Sequence, residues 1–390
     1  MITLVSLKER FFTRQADTAL YDRTLIAVIL GLMGFGWVMI ASASMPEANR
    51  LTGNPFYILD KESFFIVGAL ILAVVTLQTP ISVWAKYNGY LLLLALLLLL
   101  AVLVVGHNVN GATRWFRLGP INVQAAEPAK LFLFAYLSGY LVRRHQEVRE
   151  NLVGFIKPLG VFFLMALMLL AQPDLGTVVV MLVTTLGLLF LAGARVWQFI
   201  GMIIMGVAAL VLLVVTEPYR MKRVTGFLDP WADPFGTGYQ LTQSLMAFGR
   251  GGLTGQGLGN SILKLEYLPE AHTDFIMAII AEELGFIAVA LVMVVVFWIV
   301  LRALKIGRHA MANERFFEGF FAYSIAIWVA FQAAVNLGVA AGAFPTKGLT
   351  MPLVSYGGSS LWIMTIALMV LVRIDHEGRV ADMHATGGRS

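Results

Sequence analysis

The sequence predicts an all-α, polytopic membrane protein with about ten transmembrane helices, both termini in the cytoplasm and a large extracytoplasmic loop between helices seven and eight. Of the 390 residues, 59% are hydrophobic and 13% charged, whereas about 25% of residues in soluble domains are charged. Apolar runs of the roughly 20 residues that span a bilayer follow one another along almost the whole chain. The uneven distribution of Lys and Arg gives the orientation.

The first apolar run contains Ala41-Ser42-Ala43, which resembles a signal-peptide cleavage site. The run starts near Thr24 and lasts about 18 residues, longer than the roughly 7–15 apolar residues of a signal peptide, so we expect an uncleaved helix. The ten predicted spans are 24–44, 64–80, 88–106, 127–142, 157–172, 175–193, 197–216, 273–302, 316–343 and 358–374. They define a membrane domain over 24–374, flanked by an N-terminal segment, 1–23, and a C-terminal tail, 375–390.

Ten spans put both termini on one side of the membrane. Seventeen of the 28 Lys and Arg residues fall on that side, and five of the other eleven lie in the stretch 217–271. Because short loops rich in Lys and Arg stay in the cytoplasm, both termini are predicted to be cytoplasmic. An odd number of helices would destroy this asymmetry.

The predicted loop 217–272 differs in composition from the rest of the chain. Loops of this length on a compact bundle are usually functional or disordered. Its aromatic residues argue against disorder; they are Phe227, Trp231, Phe235, Tyr239 and Tyr267. We therefore expect the loop to fold back onto the membrane surface.

Several classes of chemistry are excluded. The chain has no cysteine, so it has neither disulfides nor thiolate sites. It contains no P-loop, and the glycine run 249–259 does not match a dinucleotide-binding motif. In a membrane protein the net charge of +5 reflects topology rather than nucleic-acid binding.

Ionisable residues at the predicted outer boundary of the membrane are the candidate functional residues, because such groups are costly near hydrocarbon. Asp274 opens the eighth predicted helix. Thr273 or Asp274 would suit the cap of that helix. Capping and a catalytic role of Asp274 are equally supported, and the two roles are compatible. Glu270 would approach Asp274 if the helix began early, at Pro269.

Glu282 and Glu283 lie deeper in the same predicted helix. Glu282 would be about 12 Å from Asp274, beyond the roughly 5–9.5 Å that separates a glycosidase carboxylate pair. The two adjacent residues face different sides, and at least one must turn into the bundle. A buried polar network is favoured over direct catalysis.

A second cluster precedes the fourth predicted helix and contains Arg114, Gln124, Glu127 and Lys130. Pro128 marks the helix start, so Glu127 and Lys130 lie on one face and can form a salt bridge. Alternatively, Lys130 and Arg114 bind an anionic lipid headgroup such as a pyrophosphate. A cavity filled by water or headgroups would allow both.

Two further polar breaks face the same compartment as Asp274. One is the turn that contains Gln172 and Asp174, and the other precedes the tenth predicted helix and contains Ser355, Tyr356 and Ser359. Turn chemistry explains much of both segments. Together with His272, they are candidates for the wall of a shared cavity.

Five motifs resemble the SEDS family (shape, elongation, division and sporulation). They are QPDLGT (172–177), GYQLTQSLMAFGRGGLTGQGLGNS (238–261), LEYLPEAHTDF (265–275), PTKGLTMPL (345–353) and PLVSYGGSS (352–360). The resemblance runs from Tyr21 to Arg373 and is strongest to the cell-division branch of the family. The chain reads Gln-Ala-Ala-Glu-Pro-Ala-Lys over 124–130, where relatives more often have Gln-Pro-Ala-Glu, but the spacing of Gln124, Glu127 and Lys130 is kept.

The resemblance implies a ten-helix fold related to GT-C glycosyltransferases, and polymerisation of lipid II into β-1,4 glycan outside the cytoplasmic membrane, with release of undecaprenyl pyrophosphate. Asp274 matches the family's essential aspartate, and Glu127 and Lys130 match its acidic and basic pair. A carboxylate suits the base that deprotonates the acceptor hydroxyl. Lys130 and Arg114, with Arg250 as a weaker third candidate, would meet the charge of the leaving pyrophosphate.

The resemblance also implies partners: the class B penicillin-binding transpeptidase FtsI and the division proteins FtsQ, FtsL and FtsB at the septum. No tightly bound cofactor is expected. A divalent cation, Mg²⁺ or Mn²⁺, would share the role of the basic residues, although the sequence shows no ligand set. The alternatives are a lipid II flippase, the elongation-type polymerase of the same family, and a structural hub for other division proteins.

Overall fold

The computed structural model describes residues 21–109, 112–119, 121–345 and 348–387. Most of the predicted N-terminal segment 1–23 lies outside the described residues, as do the end of the tail and residues 346–347 of the PTKGLTMPL motif.

The described residues form thirteen α-helices and three short strands. In chain order they are α1 (Arg23–Thr52), α2 (Tyr57–Gln78), α3 (Ile81–Val105), β1 (His107–Val109), β2 (Ala112–Leu118), β3 (Ile121–Gln124), α4 (Ala126–Arg143), α5 (His145–Glu150), α6 (Leu152–Ala171), α7 (Leu175–Leu191), α8 (Val196–Val215), α9 (Pro218–Leu228), α10 (Tyr239–Gly251), α11 (Ile276–Ala312), α12 (Phe316–Ala340) and α13 (Gly358–Gly387).

Each of the ten predicted spans coincides with one of the longer helices. By length and composition, seven of these helices in the described part of the chain are able to cross a membrane: α1, α3, α6, α8, α11, α12 and α13. The protein is therefore a multi-pass membrane protein, and the crossing number of ten stays a prediction.

The last helix is longer than predicted. α13 continues from the predicted end at 374 to Gly387. Two ion pairs at helical spacing, Arg373 with Glu377 and Arg379 with Asp375, each 2.7 Å, stabilise its polar extension. Most of the predicted tail 375–390 is therefore helical.

A small antiparallel sheet, in the order β1-β2-β3, lies between α3 and α4. Trp115 of β2 is paired with Gln124 of β3. This sheet was not predicted from the sequence. It brings Arg114 and Gln124 to the end of the bundle that carries the 217–272 loop, hereafter called the loop end.

The helices pack unequally. α12 packs against α11, α7 and α4, and α13 packs against α2. Most of the α12 side chains are buried, including Trp328 and Phe321. In contrast, α8 contacts mainly its chain neighbours α7 and α9, and Trp197 is 82% exposed. The core that supports the candidate site is therefore centred on α12.

Candidate functional site

Asp274 lies in the turns just before α11, at the loop end, and is half-buried. Its main-chain oxygen accepts a hydrogen bond from Asn336 Nδ2 at 3.0 Å. A Cβ atom on Gly348 would lie 3.0 Å from Oδ2 of Asp274, so the carboxylate faces the segment 348–350. The backbone at Asp274 is therefore held by α12, while its carboxylate lies beside a glycine without a side chain.

The two local alternatives for this region are wrong. The N-cap residue of α11 is Phe275, so neither Thr273 nor Asp274 occupies the cap position. The helix does not begin at Pro269: Glu270 has a positive φ of 57°, which ends any regular helix there. The Glu270 carboxylate accepts a hydrogen bond from Thr273 Oγ1 at 2.7 Å. Glu270 and Asp274 therefore do not share a helical face.

Two amides on α12, Gln332 and Asn336, form a ladder beside Asp274. Gln332 Oε1 accepts hydrogen bonds from Lys130 Nζ at 3.2 Å and from Trp328 Nε1 at 2.7 Å. The Gln332 Nε2 group donates to the main-chain oxygen of Thr350 at 2.9 Å. Because residues four apart share one helix face, the ladder connects Lys130 on α4 with Asp274 before α11.

The predicted ion pair between Glu127 and Lys130 is confirmed, with Nζ 2.9 Å from Oε1. The Lys130 side chain is fully buried, and its Nζ lies 4.9 Å from the ring centroid of Trp328. Oε2 of Glu127 is buried and has no hydrogen-bond partner among the described residues. In this conformation the ammonium group stabilises the core, and its binding to a headgroup stays a prediction.

The small sheet is tied to the turn before α7. Arg114 Nε donates to the main-chain oxygen of Gln172 at 2.9 Å, and its Nη2 donates to that of Pro173. Gln172 is fully buried and donates to the main-chain oxygen of Leu99 at 3.3 Å. Arg114 therefore joins β2 to the QPDLGT motif, and its role toward a pyrophosphate stays a prediction.

Asp174 has the structural role that turn chemistry predicts. Its carboxylate caps α7 by accepting from Thr177 N at 3.2 Å, and it also accepts from Gln124 Nε2 at 3.3 Å. The main-chain NH of Gln124 donates to Ser359 Oγ at 3.0 Å. The polar breaks before α7 and α13 are therefore joined through the end of β3.

His272 and Tyr356 connect the turns before α11 and α13. Tyr356 N donates to the main-chain oxygen of His272 at 2.9 Å, and the two ring centroids are 5.3 Å apart. His272 Nδ1 lies 3.3 Å from Oε2 of Glu47 on α1. Burial raises the pKa of Tyr356 to about 12, so its phenol remains protonated at neutral pH. Ser355 Oγ accepts from Met351 N at 2.8 Å and fixes the turn.

Glu282 and Glu283 are both fully buried, although adjacent residues face different sides of a helix. The 250–264 part of the loop covers the side of α11 that the bundle does not cover. Arg250 Nη1 lies 2.5 Å from Glu282 Oε1, and Lys264 Nζ lies 2.7 Å from Glu283 Oε1. The predicted buried network is confirmed, and Arg250, proposed as a headgroup ligand, is engaged by Glu282 in this structure.

The arrangement suits proton transfer at Asp274 and charge stabilisation nearby. Within the described ranges, no three His, Cys, Asp or Glu residues lie together as metal ligands do. Four participants were not predicted from the sequence: Gln332, Asn336, Lys264 and Glu47. The two amides had a usable signal, since polar residues four apart in an apolar helix indicate a function or a buried network.

Comparisons with known proteins identify the family to which the chain is similar. A family model described as "Cell cycle protein", for FtsW, RodA and SpoVE, matches residues 23–380. A probable peptidoglycan glycosyltransferase FtsW from Alteromonas naphthalenivorans is 63% identical over 94% of this chain and 71% of its own length. The protein of the same name from Escherichia coli O157:H7 is 57% identical over 96% of this chain and 91% of its own length.

Two solved structures are similar to the whole bundle. A chain from a peptidoglycan synthase complex that coordinates polymerization and crosslinking matches with a TM-score of 0.73 and 30% identity, over 92% of this chain and 98% of the other. The rod shape determining protein RodA of Thermus thermophilus matches with a TM-score of 0.66 and 28% identity, over 92% and 97%.

Proposed function

The chain belongs to the FtsW, RodA and SpoVE family of cell cycle proteins, and from this premise we infer that it is a peptidoglycan glycosyltransferase of the cell-division branch. The relatives that support the activity are 55–63% identical over nearly the whole chain. The structural observation that carries the proposal is Asp274, a half-buried carboxylate at the loop end whose backbone is fixed by Asn336.

The substrate is lipid II, and the reaction takes place at the outer face of the cytoplasmic membrane. Asp274 takes the proton from the acceptor sugar hydroxyl as its oxygen attacks the anomeric carbon of the donor. The new β-1,4 glycosidic bond forms as the bond from the anomeric carbon to the phosphate oxygen breaks. The electron pair of that bond leaves with undecaprenyl pyrophosphate.

The leaving pyrophosphate requires positive charge. Arg114 is the basic residue best suited to this role, because it is half-buried at the loop end and its two bonds to main-chain oxygens leave a net positive charge. Lys130 and Arg250 are each paired with a carboxylate and would contribute only after those pairs rearrange. A divalent cation carried by the pyrophosphate supplements them.

The partner is a class B transpeptidase, FtsI, which crosslinks the glycan that this protein makes. The similarity to a chain from a peptidoglycan synthase complex supports a partner of this kind. We place FtsQ, FtsL and FtsB in the same assembly at the division septum of the inner membrane.

A lipid II polymerisation assay tests the proposal. Wild-type protein, purified together with the transpeptidase, is expected to convert lipid II into glycan that lysozyme digests, and Asp274→Asn is expected to make none. Asp60→Asn, which changes an exposed carboxylate in the first turn of α2, is the matched control and should retain activity. Polymer formation by Asp274→Asn at the wild-type rate would refute the role of the base.

The flippase alternative is separated from polymerisation by a transport assay. Labelled lipid II is placed in the inner leaflet of vesicles that contain the protein, and its appearance outside is measured with polymerisation blocked by Asp274→Asn. Transport at the wild-type rate by this variant would favour a flippase.

A further inference from the structure

α11 is interrupted at Gly285, whose φ of 80° and ψ of 179° lie outside helical values. The interruption separates a half-helix, 276–284, from the long part, 286–312. At 1.5 Å per residue, the long part alone is about 40 Å long, more than the roughly 30 Å of the hydrocarbon core. The half-helix that follows Asp274 is therefore a separate element, and its direction is not set by the membrane-spanning part.

The segment 252–257 of the loop hydrogen-bonds to both sides of the interruption. Gln256 N and Gly257 N donate to the main-chain oxygens of Glu282 and Glu283 at 2.9 and 2.8 Å. On the other side, Phe286 N donates to the main-chain oxygen of Gly252 at 2.9 Å. These bonds satisfy backbone groups that a broken helix leaves without partners.

The Glu282 carboxylate joins the half-helix to the loop. Oε1 accepts from Arg250 and from Ile262 N at 3.0 Å. Oε2 accepts from Ser261 Oγ and from Leu263 N at 3.3 Å. Four donors from the loop therefore hold a carboxylate at the end of the half-helix remote from Asp274.

Glu283 makes a second junction, which also includes α1. Its Oε1 accepts from Lys264 Nζ at 2.7 Å, and both oxygens lie 2.8 Å from Ser42 Oγ. Lys264 Nζ donates to Ser42 Oγ at 2.9 Å as well. The Lys264 and Glu283 side chains are almost fully buried, so salt screens this ion pair little.

We propose that the residues of two ion pairs, exposed Arg250 with buried Glu282 and buried Lys264 with buried Glu283, are positioning residues that fix the direction of the half-helix 276–284 and thereby the place of the Asp274 carboxylate. Glu282, Lys264 and Glu283 have no proposed contact with the substrate, and the positioning role of Arg250 acts through Glu282. The inference rests on the proposed function, because its kinetic consequence is a consequence for the base at Asp274.

The geometry determines the expected kinetic effect. Asn336 holds the backbone at one end of the half-helix, and the ion pairs hold the other end about 12 Å away. A loosened half-helix turns about Asn336 and displaces the carboxylate from the acceptor hydroxyl. A displacement of about 1 Å costs roughly 100-fold in rate. Because Lys264 and Glu283 bond to each other and to Ser42 and have no proposed role in binding lipid II, KM is expected to stay within about twofold when their ion pair is removed.

The test removes both charges of one ion pair, since removing one would leave the other buried and uncompensated. The variant is Lys264→Met/Glu283→Gln. The separate variant Lys264→Arg keeps the positive charge and is expected to retain more than a tenth of wild-type kcat. The matched control is Lys157→Met/Glu147→Gln, which removes an ion pair between α5 and α6 at the opposite end of the bundle. The control should keep kcat within about twofold, and all variants are compared by kcat per folded molecule and by thermal midpoint.

A second readout does not depend on activity. The chain has no cysteine, so spin labels attach only where cysteines are introduced. Exposed Glu270, four residues before Asp274, and exposed Leu51, at the loop end of α1, are the label sites. The distance distribution is expected to be narrow in the otherwise wild-type protein and broadened in Lys264→Met/Glu283→Gln.

A tenfold or larger loss of kcat at unchanged KM, with a broadened distance distribution, is the expected result. A kcat within twofold of wild type per folded molecule overturns the proposal, whatever the distances show. If wild-type protein makes no polymer, the proposed function fails, and the distance measurement alone decides whether the ion pairs hold the half-helix.

Discussion

Asn336 Nδ2 lies 3.0 Å from the main-chain oxygen of Asp274 and 2.6 Å from that of Leu349. One side-chain amide therefore joins three segments: α12, the turns before α11 and the loop before α13. Because most of the side chains of α12 are buried, its amide is a rigid reference for the candidate base.

Asn336→Leu is expected to lower kcat strongly. The substitution removes the donor to two main-chain oxygens, and loss of a hydrogen bond to a buried group costs about 1–3 kcal/mol. Thermal unfolding in detergent and lipid II polymerisation measure the two effects. Ser324→Ala on the same helix is the control, because Ser324 Oγ donates to the main-chain oxygen of Phe321 within its own helix. Equal losses in both variants would contradict a specific role for Asn336.

Lys130→Met is expected to destabilise the protein more than the double variant Lys130→Met/Glu127→Leu. The single substitution leaves the Glu127 carboxylate buried without its cation, at a cost of about 3–5 kcal/mol, whereas replacement of both partners is often neutral. Thermal midpoints of the two variants provide the measurement. A double variant less stable than the single one would show that the ion pair is not the main contribution of Lys130.

Gly285→Ala is expected to prevent folding or to abolish activity. The position needs a positive φ, and an added Cβ would overlap the main-chain oxygen of Leu253. Gly34→Ala is the matched control, because Gly34 in α1 has open space around it, and alanine there should stabilise the helix by about 0.5–1 kcal/mol. Size-exclusion profiles and thermal midpoints compare the two. A stable, active Gly285→Ala protein would mean that the interruption is dispensable.

Removal of divalent cations is expected to reduce polymerisation without lowering the thermal midpoint of the substrate-free protein. The physical reason is that a divalent cation binds phosphate oxygens and would neutralise the charge that develops on the pyrophosphate of lipid II as it leaves. Activity is measured with EDTA and after addition of Mg²⁺ or Mn²⁺. A midpoint that falls with EDTA in the absence of lipid II would indicate a metal site in the protein itself.

The membrane-spanning helices could be predicted from the sequence because hydrocarbon requires long apolar runs, and each of the ten runs is a helix. The small sheet could not, because β1 and β3 have only three and four residues, the sequence of β2 does not alternate strictly between apolar and polar residues, and the strands depend on their contacts with α3 and α13. The interruption at Gly285 was also missed, because one glycine in an apolar run has the same pattern whether the helix continues or breaks.

The candidate site was predicted in part. Asp274, Glu127 and Lys130 were identified from residue type and position, and the ion pair followed from their spacing. The partner that holds the backbone of Asp274 was missed, because Asn336 is 62 residues away in the sequence and only packing brings the two close. Arg250 was interpreted from its charge alone, and its nearest acid was not predictable from a loop of unknown path.

The order of synthesis matters for the interruption in α11. Residues 252–257, whose backbone completes the hydrogen bonds at Gly285, are made before residues 276–312. The loop residues that bond to the broken helix therefore leave the ribosome before the helix itself. The free carbonyl and amide groups at the interruption can thus form hydrogen bonds with the loop during insertion and need not stay unpaired in hydrocarbon. Because the loop precedes the helix in the sequence, its position helps this broken helix to enter a bilayer.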